Sequence, residues 1–153
     1  MNIEVIPATE QDARHVATHL RAADFLELSL WQPEETPEQS VMDSVSASEW
    51  CDVVKVDGVP VLLYGLCDSG SPRIGVPWMV ATDGIRLISR QFLDGCAYRV
   101  QEMQDAFPIL HNQVHRGNTL SIKWLRWLGF VVVETPTGNG GEFFDFYKGD
   151  WHA

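Results

Sequence analysis

Three side chains in this 153-residue sequence are candidates for moving a proton. Asp24 and Glu27 lie three residues apart, about one turn of a helix, and His111 lies on a predicted strand. Carboxylates and imidazoles often serve as general acids and bases, so these three are the candidate catalytic residues. The alternative for Asp24 and Glu27 is a set of surface salt bridges with Arg21, because helical residues three apart can pair.

Metal chemistry has weaker support in the sequence. His15 and His19 have the four-residue spacing of helical metal ligands, but no third ligand accompanies them, which favours a solvated helix face. The cysteines Cys51, Cys67 and Cys96 are odd in number and show no CxxC spacing. We therefore predict no metal site, and reduced, buried thiols in a reducing compartment.

The stretch from Gly117 to Phe130 carries the most local information. Asn118 is predicted to be an N-cap, with its side-chain oxygen accepting an amide of the first helical turn. Gly129 is predicted to end the helix in the left-handed conformation. Polar side chains occupy one narrow arc of this helix: Thr119, Lys123 and Arg126. The helix is therefore predicted to be mostly buried, with a single exposed edge.

The composition is that of a globular domain with its own core. Apolar residues make up 45% of the chain, which argues against disorder. No run approaches the roughly 20 apolar residues that cross a bilayer, and the N-terminus has neither the basic start nor the apolar block of a signal peptide. We therefore expect one domain over residues 1–153, located in the cytoplasm.

The charge is unevenly distributed. The chain carries a net charge of −10, which argues against nucleic-acid and anionic-membrane partners. Residues 84–129 carry a net charge of +3, and the remainder carries −13. An anionic ligand would find a favourable field only in that segment, unless the cations cluster there by chance on helix faces.

Periodicity and caps predict the order β-α-α-β-β-β-α-β-α-β-β. Thr9 caps a first helix that continues through Leu28, and Thr36 caps a second. A long helix is predicted over 84–106 from apolar residues at helical spacing. Strands are predicted at 2–6, 50–56, 59–67, 74–81, 109–115, 130–134 and 142–148, with a hairpin turn at Asp57-Gly58. Pro77 is predicted to mark an interruption, a bulge or an edge.

This order, together with one motif, resembles the GNAT (Gcn5-related N-acetyltransferase) superfamily. The motif residues are Asn118, Ser121 three positions later, and Gly129-Phe130. The opening segment 6–13 is also similar to the common start of that family. The resemblance implies an α/β fold with a mixed sheet and a GNAT-like acyl-CoA N-acyltransferase architecture.

Shorter pieces resemble the GNAT-like proteins of short-tailed bacteriophages, including their internal virion proteins. These pieces are 20–27, 77–82, 110–114, 117–119 and 124–125, and they cover about a third of the chain. The resemblance implies phage origin, and hence a location in the host cytoplasm or in the virion.

The GNAT resemblance also implies where acetyl-CoA would bind. Its pyrophosphate would contact the segment that enters the 84–106 helix, where the positive end of the helix dipole attracts anions. The implied partners there are Ala81, Thr82, Gly84 and Arg86, and Asn118 and Ser121 would lie beside the pantetheine arm.

The sequence departs from the family at two places. The usual Q/R-x-x-G-x-G/A loop is missing, and Asp83 would bring a carboxylate close to the phosphates. Leu125 stands where many members have the tyrosine that protonates the leaving thiolate. Attack by an amine needs little beyond deprotonation and positioning, so turnover is not excluded.

Two functions remain open from the sequence. The first is acetyl transfer from acetyl-CoA to a primary amine on a small molecule or a protein. The second is a catalytically decayed GNAT-fold phage protein, with a structural role in the virion or a phage or host protein as partner. The missing loop favours the second, because a fold does not by itself define a function.

Overall fold

The computed structural model describes residues 1–137 and 139–150. The described strands are β1 Ile3–Pro7, β2 Ser48–Val56, β3 Val59–Asp68, β4 Ile74–Ala81, β5 Ile109–His115, β6 Val131–Thr137 and β7 Phe143–Lys148. The α-helices are α1 Glu10–Thr18, α2 Ala22–Trp31, α3 Pro37–Ala47, α4 Arg90–Gly95, α5 Ala97–Ala106 and α6 Thr119–Trp127, with a 3₁₀ helix at Asp83–Leu87.

The strands form one mixed sheet. Their order is β1-β2-β3-β4-β5-β7-β6, with β4 and β5 parallel. The pairs β1–β2, β2–β3, β5–β7 and β6–β7 are antiparallel. The mixed α/β fold predicted from the sequence is therefore confirmed.

Two compact units divide the chain, and β4 contributes to both. The first unit comprises Met1–Cys67 and Trp78–Ile88, and the second comprises Asp68–Pro77 and the described residues from Ser89 onward. The predicted single-domain organisation stays a prediction. In the first unit, a fully buried core joins α1, α3 and the strands: Ala13, Val16, Val41, Val53 and Leu63.

None of the described helices is long and apolar enough to cross a membrane.

Pro77 lies where the pairing of β4 with β5 stops. In the described residues, the parallel ladder comprises Ile74↔Ile109 and Gly75↔Leu110. The Pro77 carbonyl accepts a hydrogen bond of 2.9 Å from Asn112 Nδ2 on β5. Because the N and the C=O of one strand residue point the same way, the missing proline N–H faces β5 as well. The proline therefore ends the ladder where the sequence predicted an interruption.

The predicted local signals at the start of the chain are confirmed. Thr9 and Asp12 form a reciprocal capping box on α1. The Thr36 hydroxyl accepts the amide of Gln39 at the start of α3. Asp57 and Gly58 both have positive φ, as a tight hairpin turn requires.

The prediction of one continuous first helix is wrong. The chain breaks between Thr18 and Ala22, so α1 and α2 are separate helices. Leu20 forms an isolated bridge with Thr82, and the backbone N–H of Arg21 donates to the carbonyl of Ala81 at 2.9 Å. Backbone contacts with the end of β4 thus replace the helical hydrogen bonds that a continuous helix would make between Thr18 and Ala22.

The predicted long helix over 84–106 is also wrong. It consists of the 3₁₀ helix at Asp83–Leu87 followed by α4 and α5. Ile88 is extended, with φ −94° and ψ 125°, and the Ser89 hydroxyl accepts the amide of Phe92 to begin a new helix. Serine competes well for helix starts, which explains a break that apolar spacing alone does not reveal.

Candidate functional site

In the first unit, the backbone amides of the predicted phosphate-binding segment are engaged within the protein. The amide of Ala81 donates to Asp24 Oδ2 at 2.9 Å, and that of Thr82 donates to the Val61 carbonyl at 3.0 Å. The amide of Gly84 donates to Thr82 Oγ1 at 3.1 Å. An anion arriving here would have to displace these bonds, because each N–H carries a single proton.

Arg86 lies two residues further along, in the 3₁₀ helix. Its side chain is exposed. Because this helix has five residues and is not continuous with α4, it supplies little of the dipole that the predicted long helix would have had. Arg86 therefore remains a candidate phosphate partner through its own charge alone.

Gly84 is required by packing. A Cβ at this position would lie 2.5 Å from Val61 Cγ1, a methyl group on β3. Close approach of the 3₁₀ helix to β3 thus accounts for this glycine without any ligand.

Replacing Gly84 with alanine is therefore expected to destabilise the fold by about 1–3 kcal/mol, the usual cost of overpacking. Gly95→Ala is the matched control, since nothing lies within 4 Å of a Cβ there. The control should be neutral or stabilising by up to about 1 kcal/mol, because alanine restricts the unfolded chain. Urea unfolding measures the free energy of unfolding of both variants. Equal values would show that β3 can move at Val61 at little cost in free energy.

Asp24 and Glu27 lie on α2, in the first unit. Asp24 is 1% exposed, and its two carboxylate oxygens accept Arg21 Nε at 2.9 Å and Arg21 Nη2 at 3.1 Å. The same carboxylate accepts the amide of Ala81. The surface pairing that the sequence offered as the alternative is in fact a buried ion pair, with Arg21 11% exposed. Glu27 is half-buried.

In the second unit, Asn118 and Ser121 lie on the buried side of α6. They are 1% and 5% exposed, respectively. Asn118 occupies the predicted N-cap position, but its side chain makes no cap hydrogen bond, which corrects that part of the prediction. Its backbone carbonyl accepts the amide of Ile122 at 3.0 Å and so begins the helix. Gly129 ends the helix at φ +92°, as predicted.

His111 lies on β5 beside a carboxylate that the sequence analysis did not single out. His111 Nε2 is 3.0 Å from Asp145 Oδ1 on β7, and the histidine side chain is 36% exposed. Asp145 also accepts Gln113 Nε2 at 3.1 Å and Thr137 Oγ1 at 2.8 Å. Antiparallel register places these residues together, since Gln113 pairs with Asp145.

The hydrogen bonds also define the tautomer of His111. Burial raises the pKa of the Asp145 carboxyl, but hydrogen bonds from Thr137, Gln113 and His111 outweigh burial and hold the pKa below its ordinary value. Asp145 is therefore ionised near neutral pH and can only accept. His111 Nε2 must then donate, which places the lone pair of the neutral ring on Nδ1.

This cluster gives a pH-dependent stability with a defined sign. Because the folded pKa of Asp145 lies below the unfolded value of about 3.9, its stabilising contribution is complete above that value and is lost as the pH falls through the folded pKa. Asp145→Asn should therefore lose less stability than the parent between about pH 5 and pH 3. Urea unfolding across this range tests it, and parallel stability curves for the two proteins would contradict the assignment.

Of the cluster around Asp145, the sequence indicated His111 as a candidate but not its partners. The available signal was Asp145 itself, a lone carboxylate between Phe144 and Phe146 on an aromatic strand. Its relation to His111 depends on a strand register that the sequence does not specify.

The histidine pair considered for metal binding lies at the end of α1, with His15 in its last turn and His19 at its C-cap. The rings of His15 and His19 stack with centroids 4.4 Å apart, and His19 Nδ1 lies 2.7 Å from the His15 carbonyl. Among the described residues, no group of three or more His, Cys, Asp or Glu side chains could hold a metal ion.

Comparison with solved structures shows the fold of the GNAT acetyltransferases. A GCN5-related N-acetyltransferase from Kribbella flavida aligns with a TM-score of 0.66 at 17% identity, covering 97% of this chain and 98% of that chain. YncA of Salmonella typhimurium, solved with its cofactor acetyl-CoA, aligns with a TM-score of 0.61 at 12% identity, covering 99% and 96%. AAC(6′)-Ib, solved with ribostamycin and coenzyme A, aligns with a TM-score of 0.66 at 10% identity, covering 97% and 94%. No protein-family model matches the sequence, and no curated protein matches it.

Proposed function

We propose that this protein transfers an acetyl group from acetyl-CoA to a primary amine. The observation that carries the proposal is the His111–Asp145 pair on adjacent strands of a GNAT fold. A histidine oriented by an ionised carboxylate is a standard arrangement for removing a proton from a nucleophile. Asp24 does not offer a comparable arrangement, because its carboxylate is engaged by Arg21 and by the amide of Ala81.

In this mechanism the amine nitrogen attacks the thioester carbonyl, a C–N bond forms and the C–S bond breaks. His111 Nδ1 takes the proton that the amine loses, and Asp145 stabilises the resulting imidazolium. The thiolate leaves as coenzyme A and takes its proton from water, since Leu125 has no proton to give. Asn118 and Ser121 would lie beside the pantetheine arm, as the family resemblance implies.

The charge of the protein supports a cationic acceptor. The chain is strongly acidic, and all of its excess negative charge lies outside residues 84–129. An amine of ordinary pKa, about 10.4, arrives as an ammonium ion and is attracted by that field. Such an acceptor must lose one proton to water before it can attack, and His111 takes the second proton, which the nitrogen loses as the C–N bond forms.

Two measurements test the proposal. Acetyl-CoA at a hundredfold excess over its Kd should stabilise the protein by about 2.7 kcal/mol, which is readily seen as a higher melting temperature. Release of free coenzyme A thiol should then depend on an added amine, tested with polyamines, aminoglycosides and lysine peptides. If millimolar acetyl-CoA produces no thermal shift and no amine-dependent release of thiol, acetyl transfer is refuted.

A second function is favoured by the engaged amides of Ala81, Thr82 and Gly84. These bonds close the place where a phosphate would be held, as expected of a GNAT-fold protein that has lost its coenzyme. Such a protein would act by binding a phage or host protein, in line with the resemblance to GNAT-like proteins of short-tailed bacteriophages. Absence of coenzyme binding at millimolar acetyl-CoA would favour this function, and coenzyme binding would contradict it.

A further inference from the structure

A cavity of about 320 Å³ lies on the exposed side of α6, in the second unit. Residues of α6, β6, β7 and the turn after β5 line it. The residues that matter here are Arg116, Lys123, Arg126, Trp127, Glu134 and Phe144. The volume lies at the lower end of the range typical of small-ligand sites.

The lining carries excess positive charge in an acidic protein. Arg126 Nη2 pairs with Glu134 Oε1 at 2.9 Å. Within the part of the chain that the structure describes, neither Arg116 nor Lys123 forms a salt bridge with a carboxylate. Two cations therefore face one cavity without an anion to compensate them.

Aromatic rings hold these cations in place. Lys123 Nζ lies 4.7 Å from the centroid of the Trp127 ring, and Arg116 Cζ lies 6.0 Å from that of Phe144. Arg90, on α4, places its Cζ 4.9 Å from the centroid of the same Trp127 ring. Cation–π contacts of this kind restrict the long side chains, so less conformational entropy is lost when an anion binds.

We propose that this cavity binds a small phosphomonoester. A guanidinium fork and an ammonium are the groups that recognise phosphate, and Arg116 and Lys123 provide one of each. Ile122 and Trp127 supply apolar surface for the organic group of the phosphomonoester. The proposal is independent of acetyl transfer.

The cavity and the acetyl-CoA candidates use different sides of α6. Asn118 and Ser121 are buried, whereas Thr119, Lys123 and Arg126 are exposed. Coenzyme A also carries phosphates. The experiment must therefore distinguish a separate phosphomonoester from coenzyme A as the ligand of this cavity.

Isothermal titration with adenosine monophosphate and with inorganic phosphate tests the proposal directly. Adenosine monophosphate should bind, and raising the ionic strength should weaken its binding, because the contacts are between charges at the surface. Lys123→Gln and Arg116→Gln should each raise its Kd at least about tenfold, the effect expected from losing one charge-assisted phosphate contact. Arg14→Gln, which removes an exposed cation from α1, is the matched control and should leave the Kd unchanged.

Each remaining outcome decides against a small phosphomonoester as the ligand. Absence of binding at millimolar adenosine monophosphate, or equal affinity of the parent and both cavity variants, would overturn it. Displacement of adenosine monophosphate by coenzyme A would assign the cavity to the coenzyme. Binding of inorganic phosphate alone, with the same dependence on Lys123 and Arg116, would show an anion site that does not recognise an organic group.

Discussion

Replacing Asp24 with alanine is expected to lower the free energy of unfolding by about 3–5 kcal/mol, the usual cost of breaking a buried ion pair from one side. The variant removes the carboxylate that pairs with the guanidinium of Arg21, a side chain that is 11% exposed. It also removes the acceptor of the Ala81 amide, and an unsatisfied buried amide adds to the loss.

Glu38→Ala provides the matched control for this measurement. Glu38 Oε1 pairs with Arg14 Nη1 at 3.0 Å, but the two side chains are 44% and 47% exposed. An exposed pair contributes about 0–1 kcal/mol, so the control should remain close to the parent in urea unfolding. If Asp24→Ala unfolds like the control, the buried pair is not a main determinant of stability, and Asp24 regains its place among the candidate bases.

Replacing His111 with alanine is expected to lower kcat for acetyl transfer by about 10²–10⁴-fold, the usual contribution of general acid–base catalysis. The affinity for acetyl-CoA should change little, because the variant removes only the group that accepts the proton. His19→Ala, which removes an exposed histidine from the C-cap of α1, is the matched control and should keep the parental rate.

Asp145→Asn separates positioning from proton transfer in the same reaction. Asparagine can hydrogen-bond to the ring but does not stabilise an imidazolium, so kcat should fall while KM stays the same. The rate should also reach its plateau at a different pH from the parent. A parental rate in His111→Ala would remove this histidine from the mechanism, whatever Asp145→Asn does.

Two features of the fold that depend on near neighbours were predictable from the sequence. The capping box joins Thr9 to Asp12, and the hairpin turn at Asp57-Gly58 needs only the two residues in it. Both signals act over three residues or fewer, and the structure places both as expected.

Features that depend on distant residues were not predictable in this way. The pairing of His111 with Asp145 spans 34 positions and requires the register of β5 against β7. The burial of Asp24 requires the backbone of Ala81, 57 positions away. Helical spacing showed that Arg21 and Asp24 could pair, but nothing local indicated that β4 would cover them.

The separation of α1 from α2 has a consequence for the order of folding events. The residues between the two helices have no proline or glycine, so the local sequence permits one continuous helix from Glu10 to Trp31. The break forms only when the end of β4 reaches Arg21, which requires closure of a loop of about 60 residues. In the denatured ensemble we therefore expect a single nascent helix in this segment. Folding would then have to break this helix at Leu20 for the hydrogen bond between Arg21 and Ala81 to form.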